Sequence, residues 1–343
     1  MSFERKFSIL LFLLIQAAAS LAAQNTLCIC ELNAENFFDT HHQPGHGDEE
    51  YVQCGAKRWG TKRYWKKQQD IARVLISMGD NRPPDIIALT EIENDTVVND
   101  LCKRSILRHV KYKYIITQSN DTRGINVALL YQPETFKPIS CDTIHIKPTL
   151  HTRDILHVAG RLINGDTLHL YVLHLSSRAG GADAMKKREY ECKQLIRNIG
   201  TLRKISPDAK IIVIGDFNDI PTSKLLTQTL KAQLLTANIH TAQDSLLYNL
   251  SPNHIARHAI TGTYKYDGKW ETIDQCLVSG NLLNKSGKTK TSHSNFHIWA
   301  PDFILEHDEE DLKLKPYRTY NYYKYKGGIS DHLPIFIDFK LSM

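Results

Sequence analysis

GGISDHLPIF, residues 327–336, sets Asp331 and His332 directly before the mostly apolar run Leu333–Phe339. A second stretch, GDFND at residues 215–219, does the reverse: Asp216 and Asn218 follow the apolar run Ile211–Ile214. A buried strand bordered by Asp-x-Asn or Ser-Asp-His holds charge at its tip against a desolvation cost, which is how metal and phosphate sites are built. Asp, Asn and Ser are also ordinary turn residues, so one such junction would mean little. Two of them, with further acidic strand ends elsewhere, exceed what turns require.

Working outward, strand-like runs recur at Thr26–Leu32, Ile86–Thr90, Tyr114–Thr117, Ile125–Tyr131, Leu156–Ile163, Thr167–Leu175, Lys210–Gly215, Thr272–Val278 and Leu333–Phe339. Several are continuously apolar and β-branched, as in strands covered on both faces. Tyr64–Met78 and Ala184–Ile199 carry apolar residues on one helical face, and Gly79 and Gly200 read as their stops. Single helices among paired strands predict a layered α/β or α+β chain rather than a regular βαβ repeat. Residues 40–63, 244–260 and 285–316 read as long loops, which in compact domains are often binding elements.

Polar residues collect at the strand ends. Asn33 and Glu35 follow the first run in LNAENFFD, Glu91 and Glu93 lie in PDIIALTEIEN, and Arg123 precedes Ile125–Tyr131. His174 lies near the end of Thr167–Leu175, Asp274 sits inside WETIDQCLVS, and Arg178 stands beside Gly180 and Gly181. Taken singly, Asn33 reads as a turn cap, Arg123 as a turn stabiliser, and Asp274 as a buried structural acid. Together, oxygen ligands suit a hard divalent cation. Acids, amides and histidines at converging strand tips also supply what phosphodiester hydrolysis needs: charge neutralisation, a base for water, and help for the leaving oxygen.

The set resembles the endonuclease/exonuclease/phosphatase superfamily, which has the fold of pancreatic-type deoxyribonuclease. LNAEN resembles its N-terminal Asn motif, TEIEN its Glu motif, GDFND its Asp-x-Asn motif, TIDQ its late Asp and SDHLP its terminal Asp-His. The motifs stand in family order over nearly all of residues 24–343, and RGINVALLY, HLSSRAGG and RTYNYYKYKGGISDHLP look most like a secreted bacterial branch. The resemblance implies a four-layered α/β sandwich, two packed, mostly antiparallel β-sheets flanked by helices, forming one domain with its site at one end. It also implies Glu91 as the principal Mg²⁺ ligand (Mn²⁺ or Ca²⁺ being the alternatives), with Asn33, Asp331 and Glu35 assisting. His332 and Asp274 would form a His–carboxylate pair, Asp216 and Asn218 would orient the nucleophile or the phosphate, and His174 would touch the phosphate or leaving group. The general base, Asp216 or His332, stays open, and Arg123 and Arg178 are phosphate-contact candidates. Thr90 before Glu91 and Leu173 before His174 depart from the family pattern, which bears on substrate fit rather than on metal chemistry.

The rest of the chain bounds the function. Arg5 and Lys6, the apolar Phe7–Ile15 and the small residues Ala17–Ala23 read as a secretory signal over residues 1–23, too short for a stable membrane span. The net charge is +6, or +5 without Glu4, Arg5 and Lys6, a mild basicity compatible with an anionic substrate. Seven Cys in an exported chain permit disulfides but leave a thiol over, and Cys28 and Cys30 read as core residues. The expected protein is thus an exported, monomeric, Mg²⁺-dependent phosphodiesterase with nucleic acid as the leading substrate. Its rivals are a phosphatase or phospholipase C-like enzyme on inositol phosphates or sphingomyelin and, more remotely, a non-catalytic binding scaffold. Trp59 and Trp65 in the basic stretch Lys57–Lys67 are candidates for nucleic-acid contact, Trp299–Phe303 for lipid contact, and Arg318–Lys326 for either one or a plain edge strand.

Overall fold

The computed structural model describes residues 26–79, 82–235, 242–308 and 312–343, so the expected signal segment lies outside the described residues. Apolar strands pair into two seven-stranded mixed sheets. In the first, β1 (Thr26–Phe37) lies parallel to β2 (Ile86–Ile92); β3 (Lys113–Ile116) and β4 (Asn126–Tyr131) extend it on one side. The second runs β5 (Phe136–Ile144), β6 (Ile155–Leu162), β7 (Thr167–His174), β8 (Lys210–Asp216), β13 (Asp274–Ser279), β10 (Leu247–Asn249) and β9 (Gln233–Leu234). The short hairpin β11 (Tyr264–Tyr266)–β12 (Lys269–Glu271) stands just before β13. On the other side of β1 the first sheet is completed by β20 (Ile335–Leu341), which also pairs with β14 (Thr289–Lys290) and β15 (Phe296–Ile298). Two further hairpins, β16 (Leu305–His307)–β17 (Leu314–Pro316) and β18 (Tyr320–Asn321)–β19 (Lys324–Tyr325), lie outside both sheets.

Strand alternation decides where each core lies. Leu168, Leu170 and Val172 of β7 and Ile212 and Ile214 of β8 face the core shared with the first sheet. Tyr171, Leu173, Ile211 and Val213 face the opposite way, onto Cys192, Leu195 and Ile199 of helix α3 (Gly181–Ile205). Helices α1 (Thr61–Ser77) and α2 (Asp95–Arg104) bury Ile71, Val74, Leu75, Val98 and Leu101 with the first sheet. The result is four layers, helix–sheet–sheet–helix, as the resemblance implied.

Several expectations change. β1 and β2 run past their expected ends, so Asn33, Glu35 and Glu91 lie inside strands whose register shifts between Asn33 and Phe37 and between Thr90 and Ile92. Such irregularities re-aim side chains next to active sites. Glu35, Asn36 and Glu91 take φ of 45°, 49° and 58°, a strained region that costs about 1–3 kcal/mol per residue. Gly200 does not stop α3, because burying Ile199 and packing Leu202 outweigh a glycine penalty of about 1 kcal/mol. β5 escapes a reading by hydrophobicity because it is a polar edge strand, with Pro138 at an irregularity. α2 escapes too, although Val97 N–H donates to its N-cap, Asn94 Oδ1, at 3.1 Å. The expected loops contain a helical turn at Glu49–Tyr51 in the first, β10 in the second and β14 to β17 in the third.

All seven cysteines are free thiols. Trp59 is buried and donates to Phe38 O at 3.1 Å, so it does not face solvent as a nucleic-acid contact would; Lys57 and Lys67 are buried as well. Trp299 and Phe303 stack edge-on at 5.6 Å, half-buried against the core, and do not form an exposed lipid-seeking tip. Arg318–Lys326 is the β18–β19 hairpin, with Tyr320 packed inward and Tyr322 and Tyr323 exposed. No described helix is long and apolar enough to cross a membrane.

β7 and β8 approach tightly at Gly215, where φ is 146° and a Cβ would meet Leu173 O at 1.9 Å. Gly215→Ala therefore forces the strands apart one residue before Asp216. The expected loss is at least about 2 kcal/mol, read as a lowered urea midpoint at unchanged m-value.

Candidate active site

Register places the site. β7, β8 and β13 align His174, Asp216 and Asp274 in one row across the second sheet. From the first sheet, Asn33 Nδ2 donates to Asp216 Oδ2 at 3.2 Å, linking the sheets at the same point. The segment before β20 adds His332, whose Nδ1 lies 2.8 Å from Asp274 Oδ2 and whose Nε2 lies 4.0 Å from both Asp216 Oδ2 and Asp331 Oδ1. Ser330 fixes this segment: its hydroxyl donates to Asn33 O at 2.6 Å and accepts from His332 N–H at 3.0 Å. The Tyr264 ring packs on His332 at 4.9 Å.

Around that row, His174 Nε2 is 3.4 Å from Asp216 Oδ2 and 3.9 Å from Glu91 Oε1. Asn218 N–H donates to Asp216 Oδ1 at 2.7 Å, and its amide donates to Leu175 O at 2.9 Å. Glu91 accepts from Asn36 N–H at 2.6 Å and from Arg123 Nη1 at 3.2 Å. Glu91, Arg123, His174, Asp216, Asn218, Asp331 and His332 line one cavity of about 860 Å³; Asn33, Glu35 and Asp274 stand behind its wall. Glu35 is committed to Thr319 N–H at 2.6 Å and lies 3.5 Å from Arg318 Nε, so it braces the segment ahead of Asp331. Arg178 also lines the cavity, but its guanidinium is forked onto Glu271.

Burial sets the charges. It drives the Asp216 carboxyl up to about 7; the neighbouring His332 and the Asn218 N–H pull it down, while Asp274 and Glu91 push it further up. Burial works against a charged His332, yet Asp274, Asp216 and Asp331 together raise it well above the ordinary histidine range. His174 goes the other way: burial, then Arg153, Arg123 and His332, hold it neutral. The site thus pairs an imidazolium with a neutral imidazole across a carboxylate that titrates near neutrality.

A family model described as Endonuclease/Exonuclease/phosphatase family matches residues 28–341. The chain belongs to that family. Similar solved structures include truncated Caenorhabditis elegans TDP2 (14% identity, TM-score 0.53, covering 92% of this chain and 98% of that one). The human Nocturnin catalytic domain with bound sulfate shares 16% identity at TM-score 0.56, covering 93% and 94%. A Bacteroides thetaiotaomicron mannosyl-6-phosphatase shares 15% at TM-score 0.55, covering 92% and 100%. No curated protein matches. As a member of the endonuclease/exonuclease/phosphatase family, the protein is a metal-dependent phosphoester hydrolase.

The residues fit a divalent cation. The carboxylates of Glu35, Glu91, Asp216, Asp274 and Asp331 gather at this end of the sheets, and Asp274 and Glu91 add to the burial that raises Asp216. Glu91 and Asp331 offer oxygen ligands on the cavity wall, with the Asn33 side chain behind. Asp216, Asp274 and His332 also lie close enough together to hold an ion, but Asp274 is engaged by His332 Nδ1.

Some residues of the site stand outside the family motifs. Glu31 is fully buried beside Thr90, near Asp274 and Asp216, and burial raises its carboxyl well above the usual range. Its signal was in the sequence: it lies two residues before Asn33 on the same strand face and interrupts an apolar run. Buried Arg153 donates to His174 O at 3.1 Å, Leu175 O at 2.5 Å and Asp121 at 3.0 Å, so it fixes the backbone that carries His174.

Asp274→Asn tests the pairing. His332 titrates above its unfolded value, so its contribution to stability is complete below about pH 6.5 and fades as pH rises through the folded pKa. The variant should lower the His332 pKa by at least about one unit in an NMR titration and remove that contribution. An unchanged titration would mean that Asp274 does not hold the imidazolium.

Proposed function

We infer that the protein hydrolyses phosphodiesters by direct attack of water, with Mg²⁺ as its ion and nucleic acid as its leading substrate class. The observation that carries this reading is the Asp274–His332 pair facing Asp216, with neutral His174 3.4 Å away on the other side. Glu91, Asp331 and Asn33 would hold the ion, which when bound supplies charge neutralisation at the phosphate and a more acidic water. Asp216 takes the role of general base. It is the cavity-lining carboxylate titrating near neutrality, whereas His332, already charged, has no free lone pair to accept a proton. His332 then donates to the phosphate or the leaving oxygen, His174 donates to a phosphate oxygen, and Asn218 holds Asp216 in place. Export through residues 1–23 belongs to the same proposal.

A second reading, a phosphomonoesterase, draws on the cavity volume, which is of small-ligand size. The neighbour named as a mannosyl-6-phosphatase gives that reading a sugar phosphate as its model substrate.

With bis(p-nitrophenyl) phosphate and Mg²⁺, His332→Ala and Asp216→Asn should each lower kcat at least about 10²-fold, and Glu91→Gln should raise the Mg²⁺ requirement. Because burial raises Asp216, its ionised fraction falls as pH drops through about 7, so kcat/KM should fall tenfold per pH unit on the acid side. Activity that survives EDTA, or an acid limb unmoved by Asp216→Asn, would contradict the assignment.

A further inference from the structure

The cavity has a strap across one end. Arg178 lies in the turn that follows β7, and Glu271 ends β12, just ahead of β13. In the second sheet β7 and β13 flank β8, whose tip carries Asp216 and Asn218. The Arg178–Glu271 pair therefore bridges from one neighbour of β8 to the other, across the tip of β8. Both terminal nitrogens of Arg178 are committed: Nη1 lies 3.3 Å from Oε1, and Nη2 contacts Oε2. Asp219, in the turn just beyond Asn218, also favours the charged form of Arg178, so its carboxylate lies within electrostatic reach of the guanidinium.

The strap is built on stiff parts. Glu271 pairs in register with Tyr264, Tyr264 bridges His332, and Thr263 N–H donates to Glu271 O at 2.9 Å. Gly262 lets the two backbones approach, since a Cβ there would meet Glu271 at 2.6 Å. A planar fork on a carboxylate adds geometric definition beyond its charge. Beyond the strap, Tyr266 of the same hairpin lines the cavity with its ring largely exposed.

An internal phosphodiester leaves an active site by two long arms, whereas a terminal one has a single long arm and a compact ester has none. We propose that the Arg178–Glu271 strap leaves this site room for only one long arm: it takes compact phosphoesters and chain ends, seats a short organic substituent towards Tyr266, and excludes the interior of a closed strand. This rests on the phosphoester-hydrolase reading and adds the specificity that the family motifs leave undefined. Arg178, the phosphate-contact candidate from sequence, thereby acts as a specificity residue.

The test uses one oligodeoxynucleotide in linear and in circularised form, with bis(p-nitrophenyl) phosphate as the compact ester, on the full mature chain with Mg²⁺. The parent should cleave the compact ester and the linear strand from its ends, and cut the circle at least about 100-fold more slowly. Arg178→Ala and Glu271→Gln should each raise the circle-to-linear ratio of kcat/KM by about tenfold or more, and the charge-swapped R178E/E271R should restore the parent ratio. Thermal unfolding of each variant identifies any that fails to fold, and the other single variant then carries the comparison. Circle cleavage by the parent at the linear rate, or a ratio unmoved in folded strap variants, would overturn the proposal. Failure on the compact ester as well would instead overturn the hydrolase reading on which it rests.

Discussion

Asp216 is where the two sheets of this protein meet chemically. It is buried at the end of β8, accepts from Asn33 of the first sheet, and lies between His174 and Asp274 in the second. A carboxylate at such depth is costly unless opposed by charge and hydrogen bonds. Asn33, Asn218 and His332 supply these, and each comes from a different segment of the chain. The fold around them is largely the scaffold that brings those segments to one point. The tight approach at Gly215, the strained backbone of Glu91 and Glu35, and the Ser330 link between the Asp-His segment and β1 all serve that registration.

The electrostatic consequence is a division of labour between two histidines of equal burial. Burial, with Arg153, Arg123 and His332, keeps His174 neutral; against the same burial, Asp274, Asp216 and Asp331 keep His332 charged. Groups whose surroundings push their protonation apart are what acid–base chemistry at neutral pH requires. A divalent ion at Glu91 and Asp331 would favour the ionised form of the neighbouring carboxylates, and so would couple ion binding to the protonation of the whole row.

What the sequence revealed, and what it hid, follows from how each residue is held. Asn33, Glu91, Asp216 and Asp331 announce themselves because polar residues at the border of an apolar strand have few structural reasons to be there. The Asp274–His332 pair was foreseen from motif order, since Asp274 itself looks like any acid in a strand. Glu31 was legible by strand alternation alone. Arg153 and Glu271 were not, because their partners, His174 O and Arg178, are met only through long-range pairing that leaves no local pattern. The same holds for polar β5 and for α3 running through Gly200, where tertiary packing overrides local propensity.

The account stands on one claim, that the strand tips around Asp216 hold the ion and the phosphoester together. Anomalous diffraction from crystals of the protein soaked in Mn²⁺ tests it most directly. The account predicts the principal peak on the Glu91 carboxylate, facing Asp331 and inside the cavity that Asp216 and His332 line. A principal peak on the surface cluster of His42, Asp48 and Glu49, with none at Glu91, would contradict it.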